Sequence, residues 1–286
     1  MQLNFLVVFL LFCKKLKQLL MPTLYALLVG IDQYPDPSHA LHGCVQDVER
    51  LCQFLDDYCA RMGVDFQPLV LTDAAAGRQA IIDGFDHFQQ AKAEDACLFH
   101  FSGHGSRCAA SEAFWEFEPD HHQESIVCWD SRQPGGYDLM DKEFSYLAWR
   151  VSERLDMPFV TMMDCCHSGR MRHIDDAYSG VRSLQALGHA VPVSELLGIE
   201  HFIKMEDGSL RPPLGRRVHL AAARDTELAK EVTIVDKPGG VFTYCLIEVL
   251  ENTGALISYH NLLERVRQRI RNIVRQQSPQ LDTTFQ

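Results

Sequence analysis

The chain is short of positive charge. It has 27 Lys and Arg against 38 Asp and Glu, a formal net charge of −11. A surface of that sign argues against general binding to nucleic acid or anionic membrane, and it favours cationic partners or substrates. A disulfide framework is also missing. The ten cysteines fall mostly inside apolar runs without regular spacing, which reads as reduced, buried thiols of a cytoplasmic protein. No internal repeat is found. The apolar stretch Leu3–Cys13 does not read as a secretory signal: it is followed, not preceded, by Lys14, Lys15 and Lys17, and it has no small-residue cleavage site. The same stretch is too short to span a bilayer comfortably. We expect residues 1–21 to be an extension, with Met21 the natural start; a weak membrane anchor is the alternative, so no membrane contact is expected unless that extension is real.

What remains describes an ordinary globule, 47% hydrophobic and 23% charged over 286 residues. That length suits one large α/β domain, residues 22–286. Strand-like runs at Tyr25–Ile31, Phe66–Leu71, Ala96–Phe101, Phe159–Asp164 and Val218–Ala223 alternate with helical periodicity from Cys44, around Ile81–Phe88, at Phe144–Leu155, Phe242–Leu250 and Leu262–Val274. This alternation predicts a mainly parallel sheet covered on both faces. Residues 106–124 read as a long polar, aromatic loop. Residues 170–213, with scattered Arg, His, Gly and Pro, read as a loosely structured linker between a larger and a smaller portion.

Two strands end in reactive groups. One closes on Asp164-Cys165-Cys166-His167-Ser168-Gly169, the other on Ser102-Gly103-His104-Gly105-Ser106. Core strands have no packing reason to end so, whereas open parallel sheets keep their sites beyond the carboxyl ends of their strands. If the two strands are neighbours, an imidazole meets a thiol, the pair a thiol nucleophile and its base require. Strand alternation sets Asp164 and Cys166 on one side and Cys165 on the other. The glycines flanking His104 let a substrate backbone approach, and leave the amides of Gly105 and the cysteine available to an oxyanion. The residues alone leave other readings open. Core cysteines are usually small hydrophobes, and Cys165, Cys166, His167 and His173 offer zinc ligands, although adjacent cysteines do not match common zinc spacings.

These two motifs, in this order, resemble the caspase-like cysteine peptidases, and most nearly the metacaspase and bacterial orthocaspase branch. The likeness extends to Tyr25–Ile31, Leu41–Asp47, Ala222–Asp225, Gly240–Tyr244 and Ser278–Leu281. The resemblance implies an α/β/α sandwich around a mainly parallel six-stranded sheet. It implies a cysteine endopeptidase with Cys166 as nucleophile, His104 as base, Gly105 at the oxyanion, and Asp47, Asp164 and Ser102 in a pocket for Arg or Lys before the cut bond. Its partners would be protein or peptide substrates. The animal caspase signature Gln-Ala-Cys-Arg-Gly is absent. The alternative is a catalytically idle caspase-like module for binding or scaffolding, although such modules usually lose one dyad member and both are here.

The resemblance further implies an activating calcium near Glu124 and at Asp141 and its successor. That successor is Lys142, a cation set against the metal, so no cofactor is expected and calcium is the alternative. Relatives are often nicked in the linker, where this chain has Arg170, Arg172, Arg182, Lys204 and Arg211. Cutting by the enzyme itself at one of these, or mere solvation of a loop, are the two readings.

Overall fold

The computed structural model describes residues 21–155, 158–166, 180–234 and 237–284. The apolar stretch 3–13, and His167 to His173 after the second motif, lie outside them. The strands are β1 (Thr23–Gly30), β2 (Asp65–Thr72), β3 (Ala96–Ser102), β4 (Gly105–Ala109), β5 (His122–Ile126), β6 (Leu139–Met140) and β7 (Phe159–Asp164). They continue with β8 (Gly180–Val181), β9 (Ile203–Lys204), β10 (Leu210–Arg211), β11 (Arg217–Ala221), β12 (Lys230–Ile234), β13 (Lys237–Gly240) and β14 (Gln280–Thr283). The helices are α1 (Cys44–Met62), α2 (Arg78–Gly84), α3 (Asp141–Ser152), α4 (Val241–Thr253) and α5 (Tyr259–Ile273).

Six strands form the main sheet in the order β14-β11-β7-β3-β1-β2. All its pairs are parallel except β11 with β14. Side chains along a strand alternate between faces, and two cores result. On one face Leu28, Leu98 and Met162 pack with Val48 and Leu51 of α1, Phe242 and Leu246 of α4, and Leu262 and Val266 of α5. On the other, Leu27, Phe99 and Met163 pack with Ile81 of α2 and Phe144 and Leu147 of α3. Cys166 belongs to the first face and Cys165 to the second, as alternation requires. The expected α/β/α sandwich with a six-stranded sheet is the architecture observed.

Helix α1 is held at its start by the Asp32 carboxylate, which accepts from the Cys44 and Val45 amides at 2.8 and 3.1 Å. It stops at Gly63, whose φ of 67° is the left-handed conformation glycine adopts without penalty. The anchored first turn buries Asp47 completely, beside the carboxyl ends of β1 and β3.

Two stretches differ from expectation. Residues 106–124 are not loop throughout: their two ends belong to β4 and β5, which pair antiparallel, and β6 adds a third strand. Short residues in Gly105-Ser106-Arg107-Cys108-Ala109 hide the alternation that marks a strand. The linker is not loose over 180–213. It holds β8, β9 and β10, and Val191 and Leu196 pack with Cys108, Phe114 and Met140 in a third apolar cluster. Arg182 has no solvent exposure at all, so its burial is decided by partners distant in sequence.

Candidate active site

Parallel register sets the site. Gly30 lies opposite Ser102, and Ser102 opposite Asp164. Three neighbouring strands therefore end on one line, and His104 and Cys166 each follow two residues beyond it. His104 is fixed through its backbone: its amide donates to the Tyr34 hydroxyl at 3.0 Å, and its carbonyl accepts from the Val127 amide at 2.9 Å. Its Nε2 lies 2.8 Å from the His39 carbonyl oxygen. A carbonyl only accepts, so Nε2 carries the hydrogen and Nδ1 is the basic nitrogen. That Nδ1 is buried with no hydrogen-bond partner among the described residues. Burial pushes the imidazole down to about 4. It pushes the Cys166 thiol up to about 12, although the Ala229 backbone and the Ser183 side chain both bond it. Thiol and imidazole are thus both neutral in this state.

Acidic groups gather behind them. Asp47, Asp164 and Glu231 are all fully buried. Asp164 sits at the start of α4, where its Oδ2 accepts from the Thr243 amide at 3.0 Å and the Thr243 hydroxyl at 2.6 Å, a favourable place for an anion. Asp47 accepts from the Gly240 amide at 3.1 Å and from the Ser102 hydroxyl at 3.0 Å. Glu231 accepts from the His42 and Gly43 amides at 3.1 and 3.0 Å. Burial raises the Asp47 carboxyl to about 7, with Asp164 adding to the rise and Arg182 opposing it. Glu231 would also rise on burial, but the Arg182 guanidinium and the two amides hold it below its ordinary value.

The cation among these acids is Arg182. Its Nη2 donates to Asp47 Oδ2 at 2.6 Å and Glu231 Oε1 at 3.1 Å. Its Nη1 donates to Ser102 Oγ at 2.8 Å and pairs with Asp164 Oδ1 at 3.0 Å. Such forked, charge-assisted contacts are the strong kind. The pocket wall is bare main chain at Gly240, where a Cβ would stand 2.3 Å from Arg182 Nη1 and 2.4 Å from Asp164 Oδ2. The chain around Arg182 is extended. On its amino side, Gly180 and Val181 pair antiparallel with Glu231 and Lys230, and the Arg182 amide donates to the Ala229 carbonyl at 3.1 Å. On its carboxyl side, the Leu184 and Leu187 amides donate to the Gly105 and Arg107 carbonyls of β4 at 2.9 and 2.8 Å. Between the two, the Arg182 carbonyl oxygen accepts from the Gly105 amide at 3.0 Å and the Cys166 amide at 3.1 Å.

Of the residues expected at the site, Cys166, His104, Gly105, Asp47, Asp164 and Ser102 meet around this one segment. Glu231 escaped the sequence reading, since a single acid on a short strand looks like a solvent-facing one. Arg182 stood only among five basic residues of the linker.

Of the two calcium candidates, Glu124 and Asp141, the second already faces a cation. Asp141 Oδ2 lies 2.6 Å from Lys142 Nζ, and Glu118 bonds the same ammonium. Lys142 is buried, so the carboxylates here already share a charge that a divalent ion would have to displace. A second group, Asp32, Cys44 and Glu231, clusters closely enough to hold a metal. Its carboxylate oxygens are taken by backbone amides and by Arg182, so it is a capping cluster. The nine cysteines among the described residues are free thiols. No helix among the described residues is long and apolar enough to cross a membrane.

Comparisons with known proteins bear on the family and the fold. The chain is 26% identical over 279 residues to metacaspase-2 of Trypanosoma brucei brucei, covering 92% of this chain and 73% of that protein. It is 32% identical over 159 residues to metacaspase-7 of Arabidopsis thaliana, covering 53% and 36% respectively. In three dimensions it resembles a crystal structure of a Geobacter sulfurreducens protein with a TM-score of 0.60, at 19% identity, over 92% of this chain and 93% of that one. That last likeness concerns the fold alone. The family model described as the caspase domain matches residues 23–286, and with metacaspases among its relatives the chain belongs to the caspase-domain family as a cysteine-type peptidase of metacaspase kind.

Proposed function

We propose that this peptidase uses a Cys166–His104 dyad and cuts proteins after arginine, and less readily after lysine. One observation carries the reading: an arginine main chain and side chain, those of Arg182, lie where a substrate's would. Cys166 Sγ attacks the carbonyl carbon while its proton passes to His104 Nδ1. The developing oxyanion is held by the Gly105 and Cys166 amides, and one such donor is worth roughly 10²–10³ in rate. Collapse expels the amine, which takes the proton from His104. Water, deprotonated by the same imidazole, then hydrolyses the acyl-enzyme and restores the thiol.

Specificity follows from charge. A guanidinium spans Asp47 and Glu231 with one nitrogen and Asp164 and Ser102 with the other. A lysine ammonium offers one nitrogen and reaches fewer of these. An aspartate would meet three carboxylates. A panel of fluorogenic peptides varied at the residue before the cut tests this: Arg should lead and Lys follow. Preference for Asp would sink the pocket. An electrophilic Arg peptide should label Cys166 and spare Cys165, which packs in the core on the opposite face of the sheet. No labelling would favour the idle, scaffold reading. We also propose that no calcium is required, because Lys142 supplies the cation on Asp141 and Glu118.

A further inference from the structure

We infer that Tyr34 is a positioning residue for the base: its hydroxyl holds open the end of the β4–β5 ladder and so aims His104 at the thiol. The inference rests on the dyad just proposed and deepens it. Strand β4 pairs antiparallel with β5, from Gly105 opposite Ile126 to Ala109 opposite His122. One step further, the same register sets His104 opposite Val127. Alternate pairs in such a ladder exchange two backbone hydrogen bonds. Here one of the two is direct, from the Val127 amide to the His104 carbonyl at 2.9 Å. The other is replaced. The His104 amide donates to the Tyr34 hydroxyl at 3.0 Å, and that hydroxyl donates to the Val127 carbonyl at 3.2 Å. A hydroxyl oxygen with tetrahedral geometry holds the amide nitrogen and the carbonyl oxygen about 5 Å apart, where a direct bond would bring them to about 2.9 Å.

Packing gives no reason for the hydroxyl. Tyr34 is buried, with its ring 5.0 Å from that of His104 between centroids. Phenylalanine would fill the same space, spare the desolvation of a buried hydroxyl and let the ladder close. The surroundings are instead built to admit the oxygen. At Gly103 a Cβ would stand 3.0 Å from Tyr34 Oη and 2.8 Å from Phe101 Cζ, so the residue before the base is bare. The loop that carries Tyr34 is pinned. The Asp32 and Gln33 amides both donate to Asp73 Oδ1 at 2.8 Å, and Trp129 Nε1 donates to the Gln33 carbonyl at 2.7 Å. Asp73 does this from a φ of 46°, a left-handed conformation uncommon outside glycine. The same loop goes on to supply the His39 carbonyl that accepts from His104 Nε2. One loop thus sets both the ring and the main chain of the base: His39 fixes which nitrogen carries the hydrogen, and Tyr34 fixes where Nδ1 stands. Burial holds the phenol well above its ordinary value, so the hydroxyl keeps its proton at neutral pH.

Without the hydroxyl, amide and carbonyl meet directly, the strand runs straight on, and the imidazole is carried with it. A displacement of about 1 Å at a catalytic group costs on the order of 10² in rate. The acids of the pocket are anchored by other groups, the Thr243, Gly240, His42 and Gly43 amides, so substrate binding is spared.

The test uses the full chain as wild type, Tyr34→Phe and His104→Ala. It measures kcat and KM for a fluorogenic Arg peptide, the active thiol titrated with an electrophilic Arg peptide, and the urea midpoint. Tyr34→Phe should lower kcat per titrated thiol roughly 10- to 100-fold and leave KM within about twofold of the wild type. The acid limb of its pH–rate profile should stay where the wild type has it, and its urea midpoint should be no lower. The unmoved acid limb separates a displaced base from one of altered basicity, because the ring nitrogens keep their surroundings. A crystal structure of the variant should show the His104 amide directly on the Val127 carbonyl. Full kcat in Tyr34→Phe would overturn the inference and leave the dyad standing. So would a loss that comes with a lower urea midpoint, a moved acid limb or a raised KM at unchanged kcat, each of which would give Tyr34 a different role. If His104→Ala turned over the Arg peptide as fast as the wild type, or if neither turned it over, the proposed dyad would fall and this inference with it.

Discussion

Glu231→Gln should separate the two basic side chains that the proposed specificity admits. Glu231 gives Arg182 Nη2 its second carboxylate, at 3.1 Å, beside Asp47 at 2.6 Å. Removing the charge while keeping the shape deletes one charge-assisted hydrogen bond to a bound guanidinium. Such a bond contributes about 1.5–3 kcal/mol, or roughly a 10- to 150-fold fall in kcat/KM for Arg peptides. A lysine has one nitrogen, on a shorter and unforked side chain, to share among Asp47, Glu231, Asp164 and Ser102, so its bond to Glu231 is weaker and Lys peptides should lose less than about tenfold. The substitution has a structural side effect. Both carboxylate oxygens of Glu231 accept backbone amides, from His42 and Gly43, and a glutamine can serve only one of them. That loss falls on both substrates alike and cancels in the ratio of the two kcat/KM values. The assay is therefore the Arg-to-Lys ratio, measured on purified enzyme at fixed salt. An unchanged or increased ratio would refute the reasoning, whatever happened to the absolute rates.

Asp164→Asn should cost Arg peptides about 10- to 150-fold more than peptides with an uncharged residue before the cut, since Asp164 pairs with the guanidinium at 3.0 Å; equal losses would make its role purely the anchoring of α4. Acid should destabilise the fold in a defined window. Burial lowers His100 and His104 to about 4 from 6.5, so between those values the unfolded chain binds more protons at these sites, and their contribution is full above pH 6.5 and falls as pH drops towards 4. The loss is about 2 kcal/mol per histidine at pH 5, offset in part by Asp47, which takes up a proton in the fold over the same range; His100→Gln removes one histidine's share, so it should shrink the loss of urea midpoint between pH 7.5 and 5, and an undiminished loss would refute it. Lys142→Ala should lower stability by about 1–2 kcal/mol, less than the full cost of breaking a buried pair because Asp141 is partly solvated. Calcium should recover part of that loss in the variant and change neither stability nor activity in the wild type, and a wild type inactivated by EGTA would overturn the reading of Lys142 as the resident cation.

The parts of the site that repeat along a strand or a helix were legible in the sequence. Alternation separated Cys165 from Cys166, and the two strand ends announced His104 and the thiol before any pairing was known. The parts that depend on chain segments meeting from afar were not. Arg182 sits in a stretch without periodicity, and its burial is dictated by acids at positions 47, 164 and 231. Glu231 reads as one polar residue of a short hairpin strand. Only the fold reveals that its neighbours are Gly43 and the pocket. The β4–β5 hairpin was missed for a different reason: small residues bury well on either face, so they leave no pattern to read.

The bare wall at Gly240 has a consequence for how such a pocket can change. A side chain lining a cavity can be lengthened or trimmed by a methylene at a time, and the cavity follows in small steps. Main chain cannot. The smallest addition at this position, one methyl, already overlaps both the guanidinium and the carboxylate facing it, by about an ångström in each direction. Position 240 therefore behaves as a switch and not as a dial. With glycine the slot admits a long cationic side chain to its full depth, and with anything else it is shut. On the proposed reading of this slot as the substrate pocket, redesign towards other substrates would have to work through the acids on the floor while leaving that wall untouched.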